Sequence, residues 1–296
     1  MSAMIAPEVP ALAVAARCRV LEWPRASYYR APHETVEADM TLRSLIQQVA
    51  LAWPCYGYRR ITAELNRRGH RVNRKRVLRL MRADNLLVLR KRRFVHTTNS
   101  DHRLPVYPNL VPELVVTGCD QLWVADITYI HVREGLAYLA VILDAFSRRC
   151  VGWALSRNID NELTVAALRA AYEARQPSAG CIHHSDRGVQ YAAAEYVELA
   201  KSYGLRLSMS GRANPYDNAK AESFFKTLKV EEIYLMDVVS AQELATRLPY
   251  YIDEIYNEQR LHSSLGYLPP VEFEALHRNS GPQAGDVLMT MQICPV

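Results

Sequence analysis

Cysteine is sparse here and badly spaced for chemistry. The six cysteines, at positions 18, 55, 119, 150, 181 and 294, form no C-x-x-C pair, and neighbours are never closer than 31 positions. That spacing excludes a compact disulfide framework and argues against a zinc site, so the expectation is reduced thiols in a cytosol. Long apolar runs are missing too. The longest without proline or charge is residues 136–143, eight residues, against the roughly 20 that span a bilayer. The N-terminus has no basic stretch ahead of an apolar one, so no signal peptide is expected. No segment repeats, and there is no low-complexity tract. These absences point to a cytoplasmic globular protein with no membrane partner.

The chain does hold enough for a core. It has 296 residues, 49% hydrophobic and 23% charged, which at about 150 residues per domain means two domains with room for a small third. Its net charge of +5 hides an asymmetry. Residues 56–93 carry 14 Lys and Arg against 2 Asp and Glu, while the rest carries 22 against 29. A basic module joined to a mildly acidic body implies a polyanionic partner held by one segment.

Residues 1–16 read as a loose lead-in. A short helix over 11–22 should stop before Trp23-Pro24, because the residue ahead of proline is pushed out of the α region. Residues 25–30, R-A-S-Y-Y-R, suit either a DNA contact or a small packed helical hairpin. A helix is expected over 41–52. In Y-G-Y-R-R-I-T-A-E-L-N-R-R-G, Ile61 and Leu65 make a buried stripe with Arg59 and Arg60 on the other side. Gly69 is placed to end that helix. Asn73 can cap a second one running to Asp84. Its core face is Val77, Leu80 and Met81; its exposed face is Arg74, Lys75, Arg76, Arg79 and Arg82. Helix, short glycine turn, helix with a basic face is a helix-turn-helix pattern, whose second helix enters the major groove. A solvated basic face on an ordinary helical pair is the bland alternative. Residues 94–117, with three prolines, read as a linker.

Residues 121–132 alternate: Trp123, Ala125, Ile127 and Tyr129 on one face, Val124, Asp126, Thr128 and Ile130 on the other. Residues 136–143 read as a strand buried on both faces, and 149–156 as a third strand in an antiparallel meander. Helix 161–175, strand 180–183, helix 193–203, strand 205–209 and helix 219–230 follow. The order β-β-β-α-β-α-β-α is that of an RNase H-like α/β domain, a mixed five-stranded sheet with flanking helices. Two helical stretches around 239–256 come next, and the last 20 residues look like a tail.

Aspartate is depleted in strands, and a bare carboxylate on an apolar face is costly to bury. Asp126 therefore needs a reason, and a metal ion supplies one. Asp186 lies in H-H-S-D-R-G-V-Q-Y at a strand-to-loop junction, where Asp is also common in plain turns. Glu222 follows, with 35 residues between the two, on a helix that opens near Asn218. At 100° per residue Asn218, Glu222 and Lys229 share one stripe; amide, carboxylate and ammonium can ligate metal and hold a phosphate backbone, or form a solvated charged face. Three carboxylates of this kind suit two Mg²⁺ ions with Mn²⁺ able to substitute, roughly 3.5–4 Å apart, working on a phosphodiester. Asp144, beside Ser147-Arg148-Arg149, is the competing carboxylate and reads as structural. His183 and His184 read as positioning or packing residues rather than zinc ligands.

The landmarks Y-G-Y-R-R-I-T-A-E-L at 56, W-V-A-D-I-T-Y-I at 123, H-S-D-R-G-V-Q-Y at 184, N-P-Y-D-N-A-K-A-E-S-F-F-K-T-L-K at 214 and Y-N-E-Q-R-L-H-S-S-L-G-Y at 256 resemble the DDE transposases of two-frame bacterial insertion sequences, orfB type, with a retroviral-integrase-like core. Each alone is weak; five in order over residues 56–273 are specific. The resemblance implies that Asp126, Asp186 and Glu222 are a catalytic and metal-binding triad, and that Lys229 contacts DNA beside them. It implies metal-dependent cleavage at the element's ends to free a 3′-OH, followed by strand transfer. Terminal inverted repeats and target DNA would be the partners, in a homo-oligomer. An upstream-frame helix-turn-helix protein, or a frameshift fusion with it, would be a further partner, and the setting a bacterial cytoplasm beside the nucleoid. The expected division is a lead-in at 1–38, a basic module at 39–93, a linker at 94–117, a catalytic core with C-terminal helices at 118–276 and a tail at 277–296. The rivals are a DNA-binding regulator with a dead core and a stand-alone RNase H-like nuclease.

Overall fold

The computed structural model describes residues 13–29, 36–86, 106–112, 114–211, 218–235 and 240–279. The expected basic run at 90–93, most of the linker and residues 280–296 lie outside them. The chain forms two units, Met1–Val88 and Leu89–Val296.

The first unit is all helical: α1 (Val14–Val20), α2 (Arg25–Tyr28), α3 (Val36–Ala52), α4 (Tyr58–Arg67) and α5 (Arg74–Ala83). Helix α1 ends before Trp23-Pro24, as expected, with α2 following it, and α3 starts earlier than the expected residue 41. Leu42, Ile46 and Val49 of α3 close on Ile61 and Leu65 of α4 and on Val77, Leu80 and Met81 of α5, all buried. The turn between α4 and α5 follows from three residues. Gly69 takes φ +86, where a side chain would be strained. Asn66 Oδ1 accepts from Val72 N at 3.0 Å, and Asn73 Oδ1 caps α5 by accepting from Lys75 N at 2.8 Å.

The second unit is built on a five-stranded sheet in the order β3-β2-β1-β4-β5. Strands β1 (Leu122–Val132), β2 (Gly135–Asp144) and β3 (Cys150–Ser156) form the expected antiparallel meander. Strands β4 (Ile182–Ser185) and β5 (Arg206–Met209) add in parallel beside β1. The sheet separates two cores. One face joins Val124, Ile130, Leu139, Val141 and Ile182 to α9 (Ala219–Glu231). The other joins Trp123, Ala125, Ala140 and Ile142 to α6 (Asn161–Arg175) and α8 (Ala194–Ser202). A short helix, α7 (Val189–Ala192), sits between β4 and α8. Helix α6 comes so near β3 that a Cβ on Gly152 would stand 2.5 Å from the Ala167 carbonyl oxygen. The expected RNase H-like architecture is the one observed, with strand ends shifted by a residue or two.

The C-terminal region departs most from expectation. Helix α10 (Ala241–Pro249), opened by a Ser240–Glu243 capping box, widens into a π-helical coil over Tyr250–Gln259. Pro249 lacks an N–H and crowds the carbonyl a turn earlier, the kind of place where tight helical bonding gives way. Helix α11 (Pro270–Asn279) then runs through part of the expected tail. Asn257 faces inward and holds edge strand β3: its Oδ1 accepts from Cys150 N at 2.9 Å and its Nδ2 donates to Cys150 O at 3.0 Å. Arg260 grips Glu231 at the end of α9 through two bonds of 2.7 Å. The Y-N-E-Q-R-L-H stretch is thus a clamp that fixes α9 and β3 together. No helix among the described residues is long and apolar enough to cross a membrane, and Cys18, Cys55, Cys119, Cys150 and Cys181 are in no disulfide.

Candidate active site

The sheet register brings the first two carboxylates together. Trp123 pairs with His183 and Val124 with His184. Asp126 lies two residues further along β1, and Asp186 stands just past Ser185, the last residue of β4. Asp126 shares its face of β1 with Val124 and Ile130, the face that α9 covers. Helix α9 buries Ala221, Phe224, Phe225 and Leu228 and leaves Glu222 exposed. It is pinned to β1 on both sides of Asp126. Asn218 Nδ2 donates to the Ala125 carbonyl at 3.4 Å, and Lys229 Nζ donates to Thr128 Oγ1 at 2.7 Å, 5.0 Å from the Tyr129 ring centre.

The electrostatics register all three acids. Burial and then the charge of Asp186 hold the Asp126 carboxyl well above the ordinary carboxylate range; Glu222 adds to this, while the Ile127 N–H and Lys229 oppose it. Burial pushes the Lys229 ammonium down, and Asp126 offsets part of that. Asp126 thus sits in a negative field from two other carboxylates, with one ammonium as partial relief. Such a set of oxygen donors suits a hard divalent cation.

The loop of Asp186 is fastened from behind. Asp186 Oδ1 accepts from Gly188 N at 2.9 Å, and a Cβ on Gly188 would lie 2.9 Å from that same oxygen. Arg187 Nε donates to the Ser210 carbonyl at 2.8 Å. His184 is buried, with one ring nitrogen 2.8 Å from Ser208 Oγ and the other 3.0 Å from Ser210 Oγ. His183 bonds Tyr196 Oη at 2.9 Å, and burial pushes its imidazole down to about 4. Both histidines therefore brace β4.

Asp144 is fully buried and satisfied, accepting from the backbone N–H groups of Asp120, Phe146 and Ser147 and from Ser147 Oγ. With Cys119 and Glu274 it forms the one trio of possible ligand atoms within 4.8 Å of one another among the described residues. Its charge is already answered: Glu274 accepts from Ser147, Arg149 and Arg175. Asp126, Asp186 and Glu222 make a looser group, with Glu222 reaching it from an exposed helix face. Sequence reasoning missed the Asp120–Arg175–Glu274 network, whose members stand too far apart in the chain for any pattern to link them.

In the basic module Arg74 and Lys75 are exposed. Arg76 and Arg79 are less free than the helical pattern implied: both grip Asp39 of α3, at 2.8 Å each. Arg60 lies 5.4 Å from the centre of the buried Tyr56 ring, and Arg59 bonds Tyr58 Oη at 3.2 Å. Asn218, expected on the DNA-facing stripe, is only 7% exposed.

An RNase H-like core that gathers three acids, in a chain with a helix-turn-helix module, defines a metal-dependent polynucleotidyl transferase of the integrase type. The family described as integrase core domain matches residues 117–215, a second integrase core family matches 203–270, and the HTH-like domain family matches 37–94. The chain belongs to the IS3 family of insertion-sequence transposases. It is 39% identical over 262 residues to the uncharacterized 31 kDa protein of insertion element IS600 from Shigella sonnei, covering 86% of this chain and 96% of that one. It is 36% identical to transposase InsF of IS3A from Escherichia coli K12, covering 88% and 93%, and 38% identical to the IS904 transposase of Lactococcus lactis, covering 74% and 87%. Among solved structures it is similar to the simian T-cell lymphotropic virus intasome bound to PP2A regulatory subunit B56 gamma, at 14% identity and TM-score 0.46 over 85% of this chain and 80% of that one. It is also similar to the HTLV-2 integrase catalytic core in complex with magnesium, at 14% identity and TM-score 0.41 over 53% and 97%. The protein is a DDE-type transposase: it acts in DNA transposition by cleaving insertion-sequence ends and transferring strands.

Proposed function

We propose that Asp126, Asp186 and Glu222 are the carboxylates of that reaction and hold two Mg²⁺ ions, with Mn²⁺ able to substitute. The observation that carries the reading is the pinning of α9, which bears Glu222, to β1 on either side of Asp126 through Asn218 and Lys229, with Asp186 just past the end of β4, the strand beside β1. Bound ions would activate the attacking oxygen and stabilise the departing one at phosphorus. In the first step water attacks the phosphodiester at the element's end, the P–O3′ bond breaks, and the freed oxygen leaves as a 3′-OH. In the second that 3′-OH attacks a target phosphodiester and displaces another 3′ oxygen. No bond to the protein forms in either step. Asp126, Asp186 and Glu222 would hold the ions, Gly188 and Arg187 hold the Asp186 loop, and Lys229 places a cation for the DNA backbone.

Removing one of the three charges has a checkable cost and benefit. The raised Asp126 carboxyl means that the folded chain binds this proton more tightly than the unfolded one. Stability from this group is therefore greatest at acid pH and falls as pH rises from the ordinary Asp range towards the folded value. Without divalent cations at pH 7–8, Asp126→Asn should melt above the wild type, by about 2–4 °C for each kcal/mol of burial cost and repulsion relieved. Mg²⁺ should raise the melting temperature of the wild type and move the variant less. A variant that melts lower, or gains as much from Mg²⁺ as the wild type, would contradict this.

The basic module, residues 39–93, is the proposed reader of the terminal repeats, and residues 118–276 carry the chemistry. Arg59, Arg60, Arg74, Lys75, Arg76 and Arg79 are its proposed DNA contacts, with Asn218 and Lys229 in the core. Within this set the charges of Arg76 and Arg79 are already answered by Asp39. Arg74→Gln and Lys75→Gln should each lower the salt slope of binding by about 0.9, the value of one lost phosphate contact. Arg79→Gln should lower it by less. Fluorescence anisotropy with repeat DNA at several salt concentrations separates these outcomes; an Arg79 effect equal to that of Lys75 would refute the ranking. Joining two ends calls for at least a dimer on DNA. An upstream-frame helix-turn-helix protein, or a fusion with it, is the further proposed partner, in a bacterial cytoplasm at the nucleoid.

A further inference from the structure

We propose that His184 is a positioning residue for the metal site: its imidazole ties residues 106–112, across β5, to the loop that bears Asp186. The bonds form one chain. Leu110 N donates to Ser208 Oγ at 2.9 Å, Ser208 Oγ lies 2.8 Å from His184 Nδ1, and His184 Nε2 lies 3.0 Å from Ser210 Oγ. Ser210 brackets Asp186. Its N and its Oγ both donate to the Ser185 carbonyl, at 2.9 and 3.3 Å, and its own carbonyl accepts from Arg187 Nε at 2.8 Å. One serine therefore holds the residues before and after Asp186.

The sheet sets this up. Val124, His184 and Ser208 pair in one row across β1, β4 and β5. Asp126, Asp186 and Ser210 stand two residues further along the same three segments. Strand β5 is an edge of the sheet, and residues 106–112 run over it. Tyr107 packs against the core shared with α6 and α8, with Lys201 of α8 5.9 Å from its ring centre, while Leu110 and Val111 pack against the core under α9. The direction of each bond is fixed. Ser210 Oγ gives its proton to the Ser185 carbonyl, so a lone pair faces His184 Nε2, and Nε2 carries the ring proton. Nδ1 then accepts from the Ser208 hydroxyl, whose lone pair takes the Leu110 N–H; the partners set the tautomer. His184, Ser208 and Ser210 are all buried, where a fully satisfied polar network specifies one geometry. Partners that stand behind a metal ligand and orient it govern affinity nearly as much as the ligand does. The inference rests on Asp186 being one of the carboxylates that hold the ions.

The test follows Mg²⁺ through the melting temperature of the full chain, without DNA. Each variant is referred to its own melt in the absence of metal, so a loss of stability alone leaves the half-point of the Mg²⁺ shift unmoved. His184→Gln keeps an N–H donor at the place of Nε2 and loses the acceptor for Ser208. His184→Asn is too short to reach Ser210. His184→Asn and Ser210→Ala should raise the half-point by about tenfold or more, the scale of a lost orienting partner. His184→Gln and Ser208→Ala cut only the link towards Leu110 and should raise it less, by about threefold, as for one modest hydrogen bond. Their double variant should go no further, because both break the same link. Equal rises in His184→Asn and His184→Gln would overturn the proposal, as would half-points within about twofold of the wild type in His184→Asn and Ser210→Ala. Asp186→Asn is the control and should abolish the Mg²⁺ shift. If it behaves as the wild type does, the carboxylate reading falls and this proposal with it. If it loses the shift while the His184 and Ser210 variants keep the wild-type half-point, this proposal falls alone.

Discussion

Glu222→Gln should lower cleavage at the element's ends by about a thousandfold or more and leave DNA binding within about twofold. Helix α9 is anchored by Ala221, Phe224, Phe225 and Leu228 in the core and by Asn218 and Lys229 on β1, while Glu222 itself is exposed. An amide of the same shape in its place should leave the helix where it is. What it removes, on the proposed assignment, is a charged ligand of a metal centre that would contribute several kcal/mol to the transition state. About 4 kcal/mol corresponds to a thousandfold in rate. End-labelled repeat DNA with Mg²⁺, resolved by size, measures cutting, and anisotropy measures binding. A variant that cuts within tenfold of the wild type would remove Glu222 from the site. One that loses binding in parallel would make it a DNA contact instead.

The largest effect on stability should come from far outside the carboxylate group. Arg175, at the end of α6, has a side chain only 4% exposed. Its Nε and Nη2 bond the two oxygens of Asp120 at 2.9 and 2.8 Å, and its Nη1 bonds Glu274 of α11 at 2.7 Å. Arg175→Met leaves Asp120 without its cation and Glu274 with Arg149 and the exposed Arg278 in place of its closest one, a loss of about 3–5 kcal/mol. At about 2–4 °C per kcal/mol the melting temperature should fall by roughly 6–20 °C. The pH dependence has a definite sign. Burial pushes the Glu274 carboxyl up, but the bonds from Arg175 and Ser147 outweigh it and hold the group below the ordinary range. Its stabilising share is therefore present above the unfolded-state value and lost as pH falls through the folded one. The wild type should lose stability on acidification in that range and Arg175→Met should lose less. A melting shift under about 2 °C would contradict the network's role.

What could be read from the sequence was local or periodic. Strict alternation on β1 placed Asp126 on a face with Val124 and Ile130, and that is the face α9 covers. The apolar run of β2 marked a central strand because both of its faces are buried. Helical angle put Glu222 and Lys229 on one stripe; Lys229 bonds Thr128 of β1, and Glu222 stays exposed. Angle alone says nothing of what stands opposite, so Asn218 shared the stripe on paper although it is buried against Ala125. Arg76 and Arg79 looked like a free basic face for the same reason. Asp39, 37 and 40 positions away, holds them across a helix pair that no window includes. The Asn257 clamp on β3 lay in plain view within a quoted motif. Its function depends on Cys150, 107 positions earlier, whose edge-strand backbone needs a partner.

The central claim is that Asp126, Asp186 and Glu222 work as one unit on the element's ends. The most direct test measures Mg²⁺-dependent cutting of repeat DNA by the wild type, by Asp126→Asn, Asp186→Asn and Glu222→Gln, and by the triple variant. Groups acting as a unit are grossly non-additive. Each single variant should therefore lose nearly all of the 3′-OH product formed at the repeat boundary, and the triple variant should be no worse than about tenfold below the singles. A single variant that still cuts at a rate near the wild type, or single losses that multiply in the triple, would show that these three acids do not share one centre.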